Sequence, residues 1–304
     1  MSEYVLETES LTKTYRKKNA VDHIDLKIRK GDIYGFIGKN GAGKTTTIKM
    51  VAGLNNPTSG KMTLFGSNNL QDGRKKIGTV IENPAIYPYL SARQNIEVQR
   101  ILKGVSDKSI TDDLLNIVGL QDTGRKKAKN FSLGMKQRLA IALSLVGDPE
   151  LLLLDEPTNG LDPTGIKDIR ELILKLSKEA GITILISSHI LGEISKISTA
   201  YGVISDGALV AQFTSEELKD KVKPSITLTV DNAGTAVSVL ENELGIKDFE
   251  ADGNCLHIYE QLDNSAKINS ALEASGVKVQ SLSKQEGDYE NYFIKLMEGR
   301  VEND

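Results

Sequence analysis

The chain has 304 residues, of which 39% are hydrophobic and 26% are charged, and its formal net charge is −3. This length favours one large and one small domain, and the charge gives no electrostatic reason to expect a nucleic acid partner. The single cysteine, Cys255, excludes an internal disulfide and indicates a reducing compartment. No apolar run approaches the ~20 residues of a membrane-spanning helix, and residues 1–10 lack the apolar block of a signal peptide, so we expect a cytosolic protein.

The first part of the chain alternates between strand and helix patterns. Residues 5–15 and 24–28 predict strands of an antiparallel flank, and residues 33–37 predict an apolar strand that enters a glycine-rich turn. A helix at residues 45–54 follows, and then strands at residues 61–65 and 77–81. The order of strand, glycine-rich loop and helix is the setting that a phosphate-binding loop requires.

Residues 88–147 predict a mostly helical insertion. Ser91 and Gln94 form a candidate capping box at the start of a helix that reaches residue 102. A second helix at residues 110–118 is closed by Gly119, and a third occupies residues 132–146.

Strands return at residues 151–154 and 182–186, and the helix between them has apolar residues along one face and Gly181 as its stop. Strands at 201–205 and 208–213 flank an Asp206-Gly207 turn, which is a strong hairpin signal. We assign residues 1–218 to the first domain, with its helical subdomain at 88–147.

A charged linker at residues 219–225 leads to a second domain at residues 226–304. Its pattern predicts strands at 226–230, 246–250, 255–259 and 277–282, with helices at 235–244, 266–274 and 289–297. The predicted fold class is therefore an α/β domain with a mixed sheet, a helical insertion and an antiparallel flank, followed by a small α+β domain of ferredoxin-like type. The second domain contains no chemistry that we can identify.

The glycine-rich turn fits the pattern of a P-loop, G-x-x-x-x-G-K-T. Its glycines let backbone N–H groups close around phosphate oxygens, and the start of the following helix favours the same anions. Lys44 would reach the β- and γ-phosphates, and Thr45 would hold Mg²⁺ through its hydroxyl. The residues predicted to contact the nucleotide are Gly38, Asn40, Gly41, Ala42, Gly43, Lys44, Thr45 and Thr46.

Two carboxylates, Asp155 and Glu156, follow four leucines at the end of a predicted buried strand. One carboxylate can bind Mg²⁺ and the other can polarise the attacking water. The alternative is that such residues only cap the helix that follows.

The segment at residues 130–138, NFSLGMKQR, lies between the P-loop and the LLLLDE segment at residues 151–156. It resembles the signature sequence of ABC ATPases, usually LSGGQ, in the divergent form FSLGM. In that family the signature contacts the ATP held by a second copy of the protein. The resemblance covers about residues 4–213 and implies a P-loop ABC ATPase domain that binds ATP and Mg²⁺.

The resemblance also implies roles for individual residues. Ser132 and Gly134 would contact the partner copy's γ-phosphate, Asp155 would bind the metal, and Glu156 would be the general base. His189 matches the histidine that contacts the γ-phosphate, although a lone histidine at a strand end is more often structural. Asp162 ends the loop at 157–162 that crosses the dimer interface in the family.

Other positions match the family less closely or allow two interpretations. Tyr15 lies where the family stacks an aromatic ring on adenine, and the competing interpretation is an ordinary surface tyrosine. Glu82 replaces the usual glutamine that contacts Mg²⁺ and the attacking water, and it keeps an oxygen ligand. Leu133 and Met135 replace a glycine and a glutamine of the signature.

Two surface segments also remain open to more than one interpretation. The aromatic and apolar loop at residues 85–90 could receive a cytoplasmic helix of a membrane subunit or could cover the helical insertion. The similar basic tetrapeptides at residues 73–76 and 124–127 could be solvated ends of helices or loops, or could contact phosphates or lipid headgroups.

The family implies a motor subunit that dimerises head to tail around two ATP molecules and drives a separate membrane permease. Such a subunit is cytoplasmic and is held at the inner face of the cell membrane by the permease. Glu82, the SLGMKQR signature and the chain length resemble exporters of bacitracin resistance and lantibiotic immunity, which implies export or clearance of a peptide antibiotic. The alternatives are another hydrophobic cargo, an ABC ATPase that acts on ribosomes or DNA, and a regulatory module that ATP only switches.

Overall fold

The structure is a computed structural model that describes residues 3–82, 85–222, 224–285 and 289–299. The chain divides into two compact units, one formed by Met1–Ser215 with Lys295–Asp304 and the other by Glu216–Ile294. No helix among the described residues is long and apolar enough to cross a membrane.

The first unit contains most of the secondary structure. In chain order its elements are β1 (Tyr4–Tyr15), β2 (Lys18–Ile24), β3 (Lys27–Arg29), β4 (Ile33–Ile37), α1 (Lys44–Val51), β5 (Ser59–Leu64), α2 (Leu70–Lys75), β6 (Ile77–Val80), α3 (Ala92–Leu102), α4 (Ile110–Ile117), α5 (Leu133–Leu145), β7 (Leu151–Asp155), α6 (Pro163–Ala180), β8 (Thr183–Ser188), α7 (Leu191–Ile194), β9 (Ala200–Ser205) and β10 (Ala208–Thr214). Short 3₁₀ turns occupy Gln121–Thr123 and Ala128–Asn130.

A six-stranded sheet in the order β10-β9-β4-β8-β7-β6 forms the centre of the first unit. Its strands are parallel from β9 to β6, and β10 joins β9 as an antiparallel edge. The strands β4, β7 and β8 are buried along their whole length, as expected for a parallel sheet with both faces covered. A separate antiparallel group, in which β1 pairs with β2, β3 and β5, confirms the predicted mixed sheet and antiparallel flank.

Local sequence signals set the ends of several helices. The predicted capping box of α3 is present, with Ser91 accepting from the Gln94 backbone and the Gln94 side chain accepting from Ser91. Helix α6 begins at the N-cap Asp162 with proline in its first turn and ends at Gly181, which adopts the left-handed conformation. The Asp206-Gly207 turn between β9 and β10 has positive φ at both residues, 47° and 87°, as the predicted hairpin requires.

The second unit is built from α8 (Ser215–Lys221), β11 (Ser225–Val230), α9 (Ala233–Asn242), β12 (Phe249–Asp252), β13 (Cys255–Ile258), α10 (Ser265–Ala274), β14 (Val279–Gln285) and most of α11 (Tyr289–Met297). From β11 to β14 this is the β-α-β-β-α-β order of a split βαβ fold, with the antiparallel strand order β12-β13-β11-β14. Apolar residues of β11, β13, α9 and α10 form its core.

The structure differs from the sequence analysis at several boundaries. The predicted strand at 24–28 is interrupted, since Ile24 ends β2, residues 27–28 belong to β3 and residues 25–26 belong to neither strand. Helix α2 was not predicted. The start of the predicted linker at 219–225 is the end of α8, whose acidic first turn and basic last turn favour a helix. The second domain was predicted to extend to residue 304, whereas the second unit ends at Ile294.

Candidate functional site

Three neighbouring parallel strands bring the predicted catalytic residues to one edge of the sheet. The P-loop follows β4, Asp155 and Glu156 stand at the end of β7, and His189 follows β8. The sheet order β4-β8-β7 places these three carboxyl ends side by side. Ligands of open α/β sheets bind at this edge, so the first unit has a ready site there.

The P-loop glycines are required by close backbone packing. A Cβ on Gly38 would lie 2.5 Å from the Ile204 carbonyl oxygen, and one on Gly43 would lie 2.6 Å from that of Ala20. Gly43 also has φ of 115° and is the N-cap of α1, where it offers no side chain to the first helical turn. The free N–H groups of that turn therefore remain available to an anion.

Lys44 is buried, with 4% of its side chain exposed. Its Nζ donates to the carbonyl oxygen of Gly38 at 2.6 Å and to that of Lys39 at 3.3 Å. The same Nζ lies 3.2 Å from Glu156 Oε1. The ammonium group thus sits inside the loop that would surround the phosphates.

Thr45, Asp155 and Ser187 form a hydrogen-bonded chain beside Lys44. Thr45 Oγ1 donates to Asp155 Oδ2 at 2.8 Å, and Ser187 Oγ donates to Asp155 Oδ1 at 2.6 Å. Ser187 Oγ also accepts from the Glu156 backbone N–H at 3.0 Å. Ser187 was not among the predicted site residues, although a hydroxyl at the end of an apolar strand on the same edge of the sheet is a signal for such a role.

Glu156 has a positive φ and one carboxylate oxygen that accepts no hydrogen bond from the described residues. Its φ of 50° is positive, which is costly for a residue with a side chain. His189 Nδ1 lies 2.7 Å from Glu156 Oε2. Among the described residues Oε1 has no hydrogen-bond partner, since the Lys44 contact is close enough for an ion pair but lacks hydrogen-bond geometry.

The oxygens of Thr45 and Asp155 fit a Mg²⁺ site, because Mg²⁺ prefers hard oxygen ligands and few of them from the protein. The third predicted ligand, Glu82, is engaged elsewhere. Its Oε1 lies 2.5 Å from Lys49 Nζ, and its side chain is mostly exposed. Asn83 and Pro84, which follow it, lie outside the described residues.

The signature segment starts helix α5. Ser132 is its N-cap and accepts from the Met135 N–H at 3.2 Å, while Leu133 is 45% exposed. Leu133 also approaches Gly160, where an added Cβ would lie 3.3 Å from Leu133 Cδ2. The signature therefore neighbours the loop at 157–162 of its own chain.

Asp162 and Tyr15 show contacts that a purely structural role explains. Asp162 Oδ1 accepts from the Gly165 N–H at 3.2 Å as the cap of α6. Tyr15 ends β1, is 48% exposed and accepts a hydrogen bond from Asn55 at 3.0 Å. The exposed ring leaves a face that a base could stack on.

A cleft of about 380 Å³ lies between the central sheet and the helical insertion. It is lined by Leu54, Ile77, Thr79, Val80, Ile81, Ala85, Gln99, Lys103, Ala140, Leu143 and Ser144. Burial lowers the pKa of Lys103, whose Nζ donates to the Val146 carbonyl oxygen at 2.6 Å. Ala85, in the loop at 85–90 that could receive a helix of a membrane subunit, is part of this lining.

Comparison with known proteins agrees with this geometry. Residues 21–159 match the family model described as ABC transporter. The chain is 42% identical over 300 residues to the bacitracin transport ATP-binding protein BcrA of Bacillus licheniformis, which covers 97% of this chain and 98% of that protein. It is 44% identical over 208 residues to the lantibiotic transport ATP-binding protein SrtF of Streptococcus pyogenes, which covers 68% of this chain and 90% of that protein.

A solved structure shares the fold of the first unit. It is an ATP-binding cassette captured as a dimer in a post-hydrolysis state with ADP and phosphate. It matches 69% of this chain and 98% of its own chain, with a TM-score of 0.63 and 26% sequence identity.

Proposed function

Since this chain belongs to the ATP-binding subunits of ABC transporters, we propose that it is the motor of an exporter that clears a peptide antibiotic of the bacitracin or lantibiotic kind. Its enzymatic activity is the hydrolysis of ATP, with Mg²⁺ as the metal ion. The observation that carries the assignment as an ATP-driven motor is the meeting of Lys44, Thr45, Asp155 and Glu156 at the edge of the sheet.

Lys44, the P-loop backbone and Thr45 form the phosphate-binding part of the site. The free N–H groups at the start of α1 and the Lys44 ammonium bind phosphate oxygens. Thr45 and Asp155 offer the oxygens for Mg²⁺, which when bound neutralises charge on the phosphates.

Glu156 is the residue that we assign as general base. His189 holds its Oε2, and Lys44 neutralises its Oε1 in this conformation. When Lys44 turns to phosphate, Oε1 is freed to accept a proton from the attacking water. His189 then keeps the carboxylate oriented.

A second copy of the chain would complete each site. Ser132 and Gly134 stand at an exposed helix start beside Leu133, where the helix dipole favours a phosphate from another molecule. The related cassette that was solved as a dimer supports this arrangement. We assign the loop at 157–162 with Asp162 to the same interface, and Tyr15 to the adenine.

The permease would dock at the cleft beside Ala85. A cleft between two subdomains, lined by both apolar and polar side chains, suits an amphipathic cytoplasmic helix. This docking would hold the chain at the inner face of the cell membrane.

The cargo proposal depends on the relatives that transport bacitracin and lantibiotics. The bacitracin relative aligns over 97% of this chain, so the likeness includes the second unit. The lantibiotic relative aligns over 68%. A shared motor alone does not select a cargo, and the full-length likeness at 42% identity is the reason to prefer bacitracin-like peptides.

A deletion strain tests the proposal. Loss of the gene should increase sensitivity to bacitracin or a lantibiotic, and the wild-type gene should restore resistance. Glu156→Gln should not restore it, because removal of a general base lowers turnover by ~10²–10⁴. Glu150→Gln, at a half-buried carboxylate that pairs with Lys30 and Lys76, is the matched control and should restore resistance.

Unchanged sensitivity to these peptides in the deletion strain would remove the cargo proposal. Near-normal ATP turnover of Glu156→Gln, measured with the permease, would remove the assignment of the general base. If ATP-bound Glu156→Gln copurifies with ribosomes and with no membrane protein, the alternative of an ABC ATPase that acts on ribosomes is favoured.

A further inference from the structure

We propose that Arg125, Lys126, Lys127 and Lys129, here called the basic patch, bind the anionic phospholipid headgroups of the membrane surface. The four cations lie within five residues of a chain whose net charge is −3. All four are exposed, whereas Ala128 between them is fully buried. No acidic residue occurs from residue 123 to residue 147.

The basic patch differs from the other basic tetrapeptide in its contacts. In the segment at 73–76, Arg74 donates to the carbonyl oxygens of Val51 and Met50, Lys75 pairs with Asp72, and Lys76 pairs with Glu150. Among the described residues, no carboxylate pairs with any cation of the basic patch. Lys127 has a 3.5 Å contact with the Gln94 amide oxygen, which leaves its charge uncompensated. The first segment is therefore used by the fold, and the second remains available to a partner.

The backbone of the basic patch is held rigidly. The N–H of Ala128 donates to the Leu90 carbonyl oxygen at 2.9 Å, and that of Lys129 donates to the Pro88 carbonyl oxygen at 2.8 Å. Ser91 and Lys127 form an isolated β-bridge. The cations are thus displayed from a fixed support, which lowers the entropic cost of binding.

Tyr89 extends the basic patch with an aromatic ring. It is 71% exposed, and Lys129 Nζ lies 4.9 Å from the centre of its ring. Lysine and arginine bind phosphate groups, and tyrosine favours the interface between headgroups and water. This combination fits a lipid surface.

A lipid surface suits the basic patch better than an acidic peptide does. The N–H groups of Ala128 and Lys129 are already bonded within the fold, so they cannot hold a peptide backbone. The basic patch adjoins the loop at 85–90, whose Ala85 lines the cleft that we assign to the permease. The inference that the basic patch faces the membrane therefore rests on the proposed function, in which the permease docks at this cleft.

Sedimentation of the purified full-length chain with lipid vesicles tests the inference. At low ionic strength the chain should bind vesicles that contain phosphatidylglycerol, should not bind pure phosphatidylcholine, and should dissociate as salt is added. The combined changes Lys126→Gln, Lys127→Gln and Lys129→Gln should lower the partition coefficient at least about tenfold.

Two triple variants are controls for charge and position. Lys167→Gln, Lys175→Gln and Lys178→Gln remove three charges from exposed positions of α6 and should change binding less than about twofold. Lys126→Arg, Lys127→Arg and Lys129→Arg keep the charge and should keep binding. The thermal melting temperature shows whether each variant is folded. If a variant does not fold, the salt titration of the wild-type chain still tests whether vesicle binding is electrostatic.

Failure of the wild-type chain to bind phosphatidylglycerol vesicles would overturn the inference. So would equal losses in the two Lys→Gln triple variants, which would indicate a general effect of charge. If vesicle binding is unchanged in the variant of the basic patch but copurification with the permease is lost, the partner is an acidic protein segment instead. Since no ATP is used, failure here leaves the ATPase assignment intact, and failure of the Glu156→Gln test leaves this inference intact.

Discussion

Ser187 connects Asp155 and Glu156, the carboxylates proposed for metal binding and catalysis, through one hydroxyl group. It donates to Asp155 at 2.6 Å and accepts from the Glu156 N–H at 3.0 Å. The first bond orients the Asp155 carboxylate towards Thr45. The second helps to hold Glu156 at its positive φ, a conformation that costs of the order of 1–2 kcal/mol. Ser187 is therefore a positioning residue for both.

Replacement of this hydroxyl should weaken the metal site. We expect Ser187→Ala to raise the Mg²⁺ concentration needed for half-maximal ATP turnover by ~10–100-fold, as loss of a partner of a metal ligand does. It should also lower the free energy of unfolding by about 1–3 kcal/mol, because Asp155 loses a buried hydrogen bond. Magnesium titrations of turnover and chemical denaturation measure the two effects.

The neighbouring serine supplies the control. Ser188 Oγ accepts from the Ile190 N–H at 2.9 Å and belongs to the same buried strand. Ser188→Ala should leave the magnesium dependence near that of the wild-type chain. Equal shifts in the two variants would contradict the assigned role of Ser187.

At the scale of elements, Asn95 joins helix α3 to the loop at 85–90. Its side chain accepts from the Tyr87 N–H at 2.7 Å and donates to the carbonyl oxygens of Tyr87 and Ser91 at 3.1 and 2.9 Å. Asn95 is fully buried. One side chain thus supplies hydrogen bonds that the loop backbone does not obtain from secondary structure.

Removal of the Asn95 amide should loosen the predicted docking loop. Asn95→Ala should lower the free energy of unfolding by about 1–3 kcal/mol, because it leaves backbone groups of Tyr87 unpaired. Turnover by the isolated chain should stay near wild type, whereas its stimulation by the permease should fall. Asn116→Ala, at an exposed position of α4, is the control for both measurements. If the permease stimulates ATP turnover of Asn95→Ala as much as that of the wild-type chain, the loop at 85–90 does not transmit the effect of the permease.

At the scale of the whole molecule, membership of the ABC ATPase family implies that two copies share each site. The P-loop and the signature would meet across a two-fold axis, so one chain supplies Lys44 and the other supplies Ser132. In such a dimer each contact occurs twice.

Mixing two inactive variants tests this symmetry. Lys44→Ala disables the phosphate site of its own chain, and Ser132→Arg blocks the signature that serves the partner. Each variant alone should be inactive, whereas an equimolar mixture should regain about a quarter of the wild-type sites, since half the dimers are mixed and each has one intact site. Turnover of the mixture is the measurement. No recovery, with both variants folded and dimeric, would argue against shared sites.

The predictions that the structure confirms depend on short stretches of chain. The strand at residues 33–37 coincides with β4, and the capping box of α3 is present. The turn at Asp206-Gly207 also forms as predicted. Both boundaries of the second unit lie ten residues earlier than predicted, at Glu216–Ile294 instead of 226–304, because a single sequence does not show which distant segments pack together. The roles of the individual site residues, from the P-loop and the two carboxylates to Tyr15, Asp162 and the signature residues, stay predictions.

The sequence by itself determined the motifs, their order and the helix caps, because glycine torsions, N-caps and turns depend on bonds between residues a few positions apart. Only the tertiary structure decided the contacts between distant segments. It paired Glu82 with Lys49 and placed Ser187 on Asp155. It also used the cations at 73–76 within the fold, whereas no carboxylate of the described residues pairs with those of the basic patch. Those outcomes depend on which strands become neighbours in the sheet, and the pairing of distant strands is set by the packing of the whole unit.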